Sequence, residues 1–267
     1  MRRSVSGFAS YLAVMTLAAG AGAAGVWLLG RAATPGQATN HGEYVWITRG
    51  ADSVRAYVAY PERADPAPGV IVIHENQGLT AWEPTVADRL AASGFAAIAV
   101  DMLSSRFGMT PATGDSGRRL ISRLRPDDIT ADLNAAFDYL AAQPSVRGDA
   151  IGVMGFCWGG SQTFRFATNN PRLKAAVVCY GSAPDSTALP RIAAAVLGVY
   201  GENDNRINAA IPTVERLMKA AGKRYEHDIY PGTGHGFLKP GRMGNDTDQP
   251  DRAWSRIVGF FRTELGR

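Results

Sequence analysis

The stretch AIGVMGFCWGG, residues 150–160, decides how the rest of the chain is read. Ala150–Met154 is a short unbroken apolar run, the mark of a strand buried on both faces. Gly155-Phe156-Cys157-Trp158-Gly159 follows at once, and Gly159–Asn169 reads as a helix. A strand that turns sharply into a helix through Gly-x-Cys-x-Gly has the spacing of a nucleophile elbow, with cysteine in the serine position. The flanking glycines answer a steric need, because a side chain at either flank would clash in so tight a turn. The turn lifts the Cys157 sulfur above the sheet and aims the first N–H groups of the helix at the same spot. The Trp158 N–H is therefore expected to form half of an oxyanion hole, and the helix N-terminus favours a thiolate at Cys157.

Working outward, similar apolar runs stand at Gly69–His74, Ala96–Val100, Ala175–Cys179 and Ala194–Tyr200. Tyr225–Tyr230 is more polar, as an edge strand would be. Glu43–Thr48 and Ser53–Tyr60 read as a hairpin around Arg49–Asp52. Between the runs lie helical stretches at Trp82–Ala92, Asp127–Ala142, Asn208–Ala221 and Asp248–Leu265. Strand–helix alternation over residues 43–267 predicts one α/β domain with a mostly parallel sheet and helices on both faces. Ligands of such sheets bind at the carboxyl ends of the strands, so chemistry is sought just after each strand.

A nucleophile, an acid and a histidine occur there in that order. Cys157 follows one strand, Gly201-Glu202-Asn203-Asp204 another, and Gly232-Thr233-Gly234-His235-Gly236 the last. His235 sits between glycines in a loop that can carry an imidazole over the sheet. His41 falls in the linker, His227 within a strand, and His74 at a strand end where it can simply fill space. Asp204 is preferred to Glu202 and Asp228 as the acid that fixes the His235 tautomer. Ser161, one helical turn past Cys157, is expected to point away from the elbow.

Composition narrows the function classes. The 267 residues are 46% hydrophobic and include two cysteines, Cys157 and Cys179, which excludes a disulfide-stapled scaffold. Of the net charge of +4, all but one unit comes from Arg2, Arg3 and Arg31 within residues 1–36. The remainder is near neutral, with no basic footprint for nucleic acid. There is no HExxH and no paired CxxC, so no metal is implied, and no Gly-rich dinucleotide pattern follows the first parallel strand, so no cofactor is expected.

The N-terminus reads as an address. Arg2 and Arg3 precede an uncharged run from Phe8 to Leu29, the layout of a secretory signal. The run is also long enough to span a bilayer, so residues 1–36 are expected to be a signal peptide or a retained membrane anchor. Either way the domain is placed outside the cytoplasm, in the periplasm or an equivalent compartment. The arginine pair also fits a twin-arginine signal, though Ser-Val-Ser matches that pattern poorly. Residues 37–42 read as a linker.

The motifs resemble the dienelactone hydrolase (carboxymethylenebutenolidase) family of α/β-hydrolases over nearly the whole domain. The resemblance rests on Gly-Phe-Cys-Trp-Gly-Gly at 155–160, Gly-Glu-Asn-Asp at 201–204 with Gly-Thr-Gly-His-Gly-Phe at 232–237, and His-Glu-Asn-Gln-Gly at 74–78. It implies an ester or lactone hydrolase with Cys157 as nucleophile, His235 as base and Asp204 as orienting acid. It further implies that Glu75 interacts with the resting thiol and that the Asn76 N–H completes the oxyanion hole. Where the family holds a substrate carboxylate with arginines, this chain has Arg106 near one position and Lys239 at the other. The expected partner is thus a small ester or lactone, with membrane contact only through residues 1–36. A reading from another class is a catalytically silent binding or thiol redox module, silenced by a Cys157–Cys179 disulfide.

Overall fold

The computed structural model describes residues 41–266, so the leader expected over residues 1–36 lies outside the described residues. The apolar runs become eight strands: β1 (His41–Arg49), β2 (Asp52–Tyr60), β3 (Ala67–Ile73), β4 (Ala96–Asp101), β5 (Val146–Phe156), β6 (Ala175–Cys179), β7 (Ala195–Gly201) and β8 (Tyr225–Tyr230). They form one sheet in the order β1-β2-β4-β3-β5-β6-β7-β8. The β1–β2 and β2–β4 pairs are antiparallel and all the others parallel. β8 is an edge strand, as its polarity predicts.

Alternation within the central strands explains the two layers of core. Ile71 and Ile73 of β3 face one side, with Leu133 and Phe137 of α4 (Pro126–Ala141) and Phe164 of α5 (Trp158–Ala167). Val70 and Val72 face the other, with Leu90 of α1 (Trp82–Ala92) and Ile257 and Phe261 of α8 (Gln249–Leu265). Covering both faces is what requires such strands to be apolar throughout.

The structure differs from expectation in four places. β1 begins at His41, inside the stretch read as linker, because its first two residues already pair with Tyr60 and Ala59. β5 begins four residues early, since Arg147-Gly148-Asp149 hides its start behind polar residues. The loop after β4 contains two short helices, α2 (Ser104–Phe107) and α3 (Gly114–Ile121). The helix expected at Asn208–Ala221 is two pieces, α6 (Asn205–Asn208) and α7 (Ile211–Ala220). Pro212 sits in the first turn of α7, where a missing N–H does no harm; further inside a continuous helix it would break the ladder. Among the described residues no helix is long and apolar enough to cross a membrane.

Chain order sets where a site can form. From β3 the chain moves outward to β4, and it then returns to the other side of β3 with β5. That reversal opens a crevice between the carboxyl ends of β3 and β5, the topological switch point at which such sheets bind ligands. His74–Asn76 stand on one lip and Cys157–Trp158 on the other.

Candidate active site

Cys157 joins β5 to α5 with φ of 56°, one of two described non-glycine residues with positive φ. A left-handed cysteine costs about 1–3 kcal/mol and persists only where its surroundings over-determine it. Here the Cys157 N–H donates to the Cys179 carbonyl at the end of β6 (3.0 Å), and its own carbonyl accepts from Ser161 N–H at the start of the α5 ladder. The flanking glycines supply the space. A Cβ at Gly155 would overlap the Gly159 carbonyl and Thr163 Oγ1, and one at Gly159 would overlap the carbonyls of Ile73 and His74. Gly159 therefore lets the start of α5 lie directly against the end of β3. The Trp158 N–H, at the first position of α5, has no acceptor within the helix.

His74 sets that lip rigidly. Its Nε2 accepts the Met102 N–H (3.2 Å), so Nδ1 carries the proton and donates to the Glu75 carbonyl (2.7 Å). Its ring stacks on Trp158 at 5.4 Å. One buried imidazole thus ties β3, β4 and the elbow together, a positioning role beyond the space-filling read from the sequence.

The acid and the histidine come from two laced loops. Asn203 N–H donates to the Thr233 carbonyl, Glu202 N–H to the Tyr230 carbonyl, and Gly232 N–H to the Glu202 carboxylate. The buried Asp204 then accepts from His235 Nδ1 at 2.5 Å. The competing acids are occupied elsewhere: Glu202 fastens the loop, and Asp228 pairs with Arg256 at 3.0 Å. On its other side His235 has Cys157 as a neighbour. That contact, against the opposing effect of burial and with help from Asp204, raises its pKa from 6.5 to about 9.

Ser161 points away, with its Oγ accepting the Ser182 N–H at 2.8 Å. Cys157 and Cys179 are both free thiols, and burial pushes the Cys179 thiol far above its ordinary range.

The remaining expected residues separate. Glu75 is buried and paired with Lys239 Nζ at 3.1 Å. Lys239 also faces Glu83 at 3.9 Å and lies over the Trp82 ring. Arg106 is not brought to this group. It faces Asp128 at 3.7 Å, in a cavity of about 500 Å³ beside the β1–β2 turn that it shares with Arg49 and Arg123. α2 is what carries it there, and a loop reading could not show that. A second cavity of about 500 Å³, lined by Lys174 and Arg224, opens at the amino ends of the strands and shares no residue with this site.

Two residues escaped the sequence reading. Glu83 opens α1, fully buried, and accepts both the N–H and hydroxyl of Thr80. Tyr180, directly after β6, has φ of 40° and a fully buried hydroxyl with no hydrogen-bond partner. Its ring packs edge-on against His235 at 5.2 Å. Glu83 looks like an ordinary helix-start acid and Tyr180 like the last residue of an apolar run, so neither stood out.

A switch-point crevice, a left-handed cysteine on an elbow and an acid-bound histidine at neighbouring strand ends are the makings of an α/β-fold hydrolase. Residues 54–265 match the dienelactone hydrolase family, and the chain belongs to that family. It is 34% identical over 236 residues to a "Putative carboxymethylenebutenolidase" of Salmonella typhimurium (strain LT2), covering 81% of this chain and 85% of the relative. The crystal structure of a "Putative Dienelactone Hydrolase" from Klebsiella pneumoniae superposes with a TM-score of 0.75 at 28% identity, over 83% of this chain and 98% of the other. A "Dienelactone Hydrolase-like Promiscuous Phospotriesterase P91" from metagenomic libraries superposes with a TM-score of 0.74 at 25% identity, over 85% and 99%. Membership of the family makes the chain a hydrolase with carboxylic ester hydrolase activity.

Proposed function

We propose that the protein is an exported hydrolase of small esters or lactones that works through a thioester on Cys157. The observation that carries this reading is His235 hydrogen-bonded to the buried Asp204 on one side, with the elbow residue Cys157 as its neighbour on the other. The Cys157 sulfur attacks the carbonyl carbon with its proton lodged on His235, whose raised pKa favours the imidazolium. The carbonyl oxygen takes the negative charge and is held by the Asn76 and Trp158 N–H groups. When the tetrahedral adduct collapses, the C–O bond to the leaving group breaks and His235 returns the proton to the departing alkoxide. Water then attacks the thioester, gives its proton to His235, and releases the acid and the free cysteine. Asp204 holds the His235 tautomer through both halves. Glu75, the residue implied by the family resemblance to activate the thiol, stands on the same lip as Asn76.

Rapid acid quenching during turnover of p-nitrophenyl acetate is expected to leave a 42 Da adduct (about the mass of an added acetyl group) on the Cys157 peptide, removable by hydroxylamine. Turnover with the acetyl group on another residue would sink the mechanism. Export rests on Arg2, Arg3 and the uncharged run Phe8–Leu29. In a Gram-negative host, the tagged full chain should appear in the periplasmic or membrane fraction; a purely cytosolic product would refute export.

A further inference from the structure

We infer that Thr110, held by the buried Asp101, is a positioning residue that fixes the Asn76 half of the oxyanion hole. The inference rests on the reading of Cys157 as nucleophile and of the Asn76 N–H as an oxyanion donor. It gives a role to two residues outside the Cys157, His235 and Asp204 group.

Residues 74–81 join β3 to α1 and belong to neither. Their amides have no strand or helix ladder to set their direction, so side chains and packing must do it. At the near end the clamp is His74, whose Nε2 accepts the Met102 N–H at 3.2 Å. At the far end the clamp is Thr110, whose Oγ1 accepts the Leu79 N–H at 2.9 Å. Between the two, Gly78 has φ of 89° and lies so close to Thr110 that a Cβ there would overlap its side chain and press on Leu103. The Gln77 carbonyl in turn lies where a Cβ on Gly117 of α3 would be. Asn76 thus sits in a short span fastened at both ends to the loop that leaves β4.

Asp101 gives the far clamp its direction. It ends β4 and is fully buried. Its Oδ1 accepts the Leu103 N–H at 3.2 Å and the Thr110 hydroxyl at 2.7 Å, and its Oδ2 accepts the Thr110 N–H at 3.0 Å. A carboxylate is an acceptor only, so the Thr110 hydroxyl must donate inward to Asp101 and turn a lone pair to Leu79. Such chains of bonds strengthen one another in a low-dielectric interior. Only a hydroxyl can donate and accept from one atom at this place. Without it the Leu79 N–H is left without its acceptor, and the span can turn about the His74 clamp. The Asn76 N–H then leaves the position at which a developing oxyanion would meet it.

The test compares two variants of the full-length protein. Thr110→Val keeps the shape and loses the hydroxyl; Thr110→Ser keeps the hydroxyl and loses the methyl. Two reactions of the same sulfur are followed. Acyl transfer from p-nitrophenyl acetate uses the oxyanion hole. Methylation by iodomethane does not, because the sulfur displaces iodide from a saturated carbon and no oxyanion forms. Thr110→Val is expected to lower kcat/KM for the ester by about 10–100-fold, the size of effect of a displaced oxyanion donor. The methylation rate of Cys157 should stay close to that of the parent, and Thr110→Ser should restore ester turnover. A Thr110→Val that does not fold is replaced by Thr110→Ala, which puts no bulk against Gly78 and is read by the same ratio of rates. Parental kcat/KM in the folded variant without the hydroxyl would overturn the inference. So would methylation slowed by the same factor as acyl transfer, which marks a disturbed Cys157 rather than a lost donor. A folded Thr110→Ser as slow as Thr110→Val would assign the effect to packing of the methyl and overturn it too. None of these outcomes touches the thioester mechanism. Methylation of Cys157 in the parent that leaves ester turnover intact would fail the nucleophile reading, and this inference with it.

Discussion

Replacing Cys157 by alanine is expected to lower kcat/KM for p-nitrophenyl acetate by about 10⁴-fold or more, because in the proposed mechanism only the oxyanion hole and substrate binding then remain. The fold should tolerate the change. The partly buried Cys157 packs at the margin of the core, and alanine keeps the backbone bond to Cys179. A second readout comes from His235. Its contact with Cys157 is the largest cause of its raised pKa, ahead of the bond to Asp204. NMR titration of the ring should therefore fall from about 9 toward 6.5 in Cys157→Ala. The sign of the linked stability follows: a histidine whose folded pKa is raised contributes fully below about 6.5 and loses that contribution as pH rises through about 9. Parent and variant should thus differ more in stability at pH 6 than at pH 10. Residual activity within a few-fold of the parent would require another nucleophile. Ser161 is poorly placed for that, since its hydroxyl is held by Ser182.

Much of this was legible in the sequence because the signals were local and steric. β6 and β8 match the apolar run and the more polar run read for them residue for residue, since a strand buried on both faces must be apolar throughout and an edge strand need not be. The elbow was legible because only glycine fits beside Cys157. Asp204 could be preferred to Glu202 and Asp228, yet only the loop bonds show why: Glu202 is occupied by Gly232 and Asp228 by Arg256. What stayed hidden depends on partners distant in the chain. Lys239 sits four residues past His235 and invites a role toward substrate, but its partners are 164 residues away at Glu75 and nearly as far at Glu83. Arg106 was displaced by α2, a helix of 4 residues, too short for any periodic signal. Tyr180 announces nothing in sequence; its strain and its unpartnered hydroxyl exist only once β6 lies beside β5.

Gly159→Ala is the other large effect expected, and it tests whether α5 and β3 are really pressed together. The added methyl would overlap the carbonyls of Ile73 and His74, which are backbone atoms of a central strand and its end. Neither can swing aside as a side chain would. The expected cost is about 3 kcal/mol, at the upper end of overpacking, which lowers Tm by roughly 6–12 °C in a domain of this size. Activity should fall further than stability explains, because the helix can escape the overlap only by moving the Trp158 N–H away from Asn76, which separates the two halves of the proposed oxyanion hole. Gly259→Ala supplies the contrast. That glycine lies within α8 with nothing near its missing Cβ, so alanine there should stabilise by about 0.5–1 kcal/mol through helix propensity. Two glycines in helices, given the same methyl, are thus expected to move Tm in opposite directions. A Gly159→Ala protein as stable and active as the parent would mean that the elbow does not need its close approach to β3, and the placement of the Asn76 and Trp158 amides would lose its physical basis.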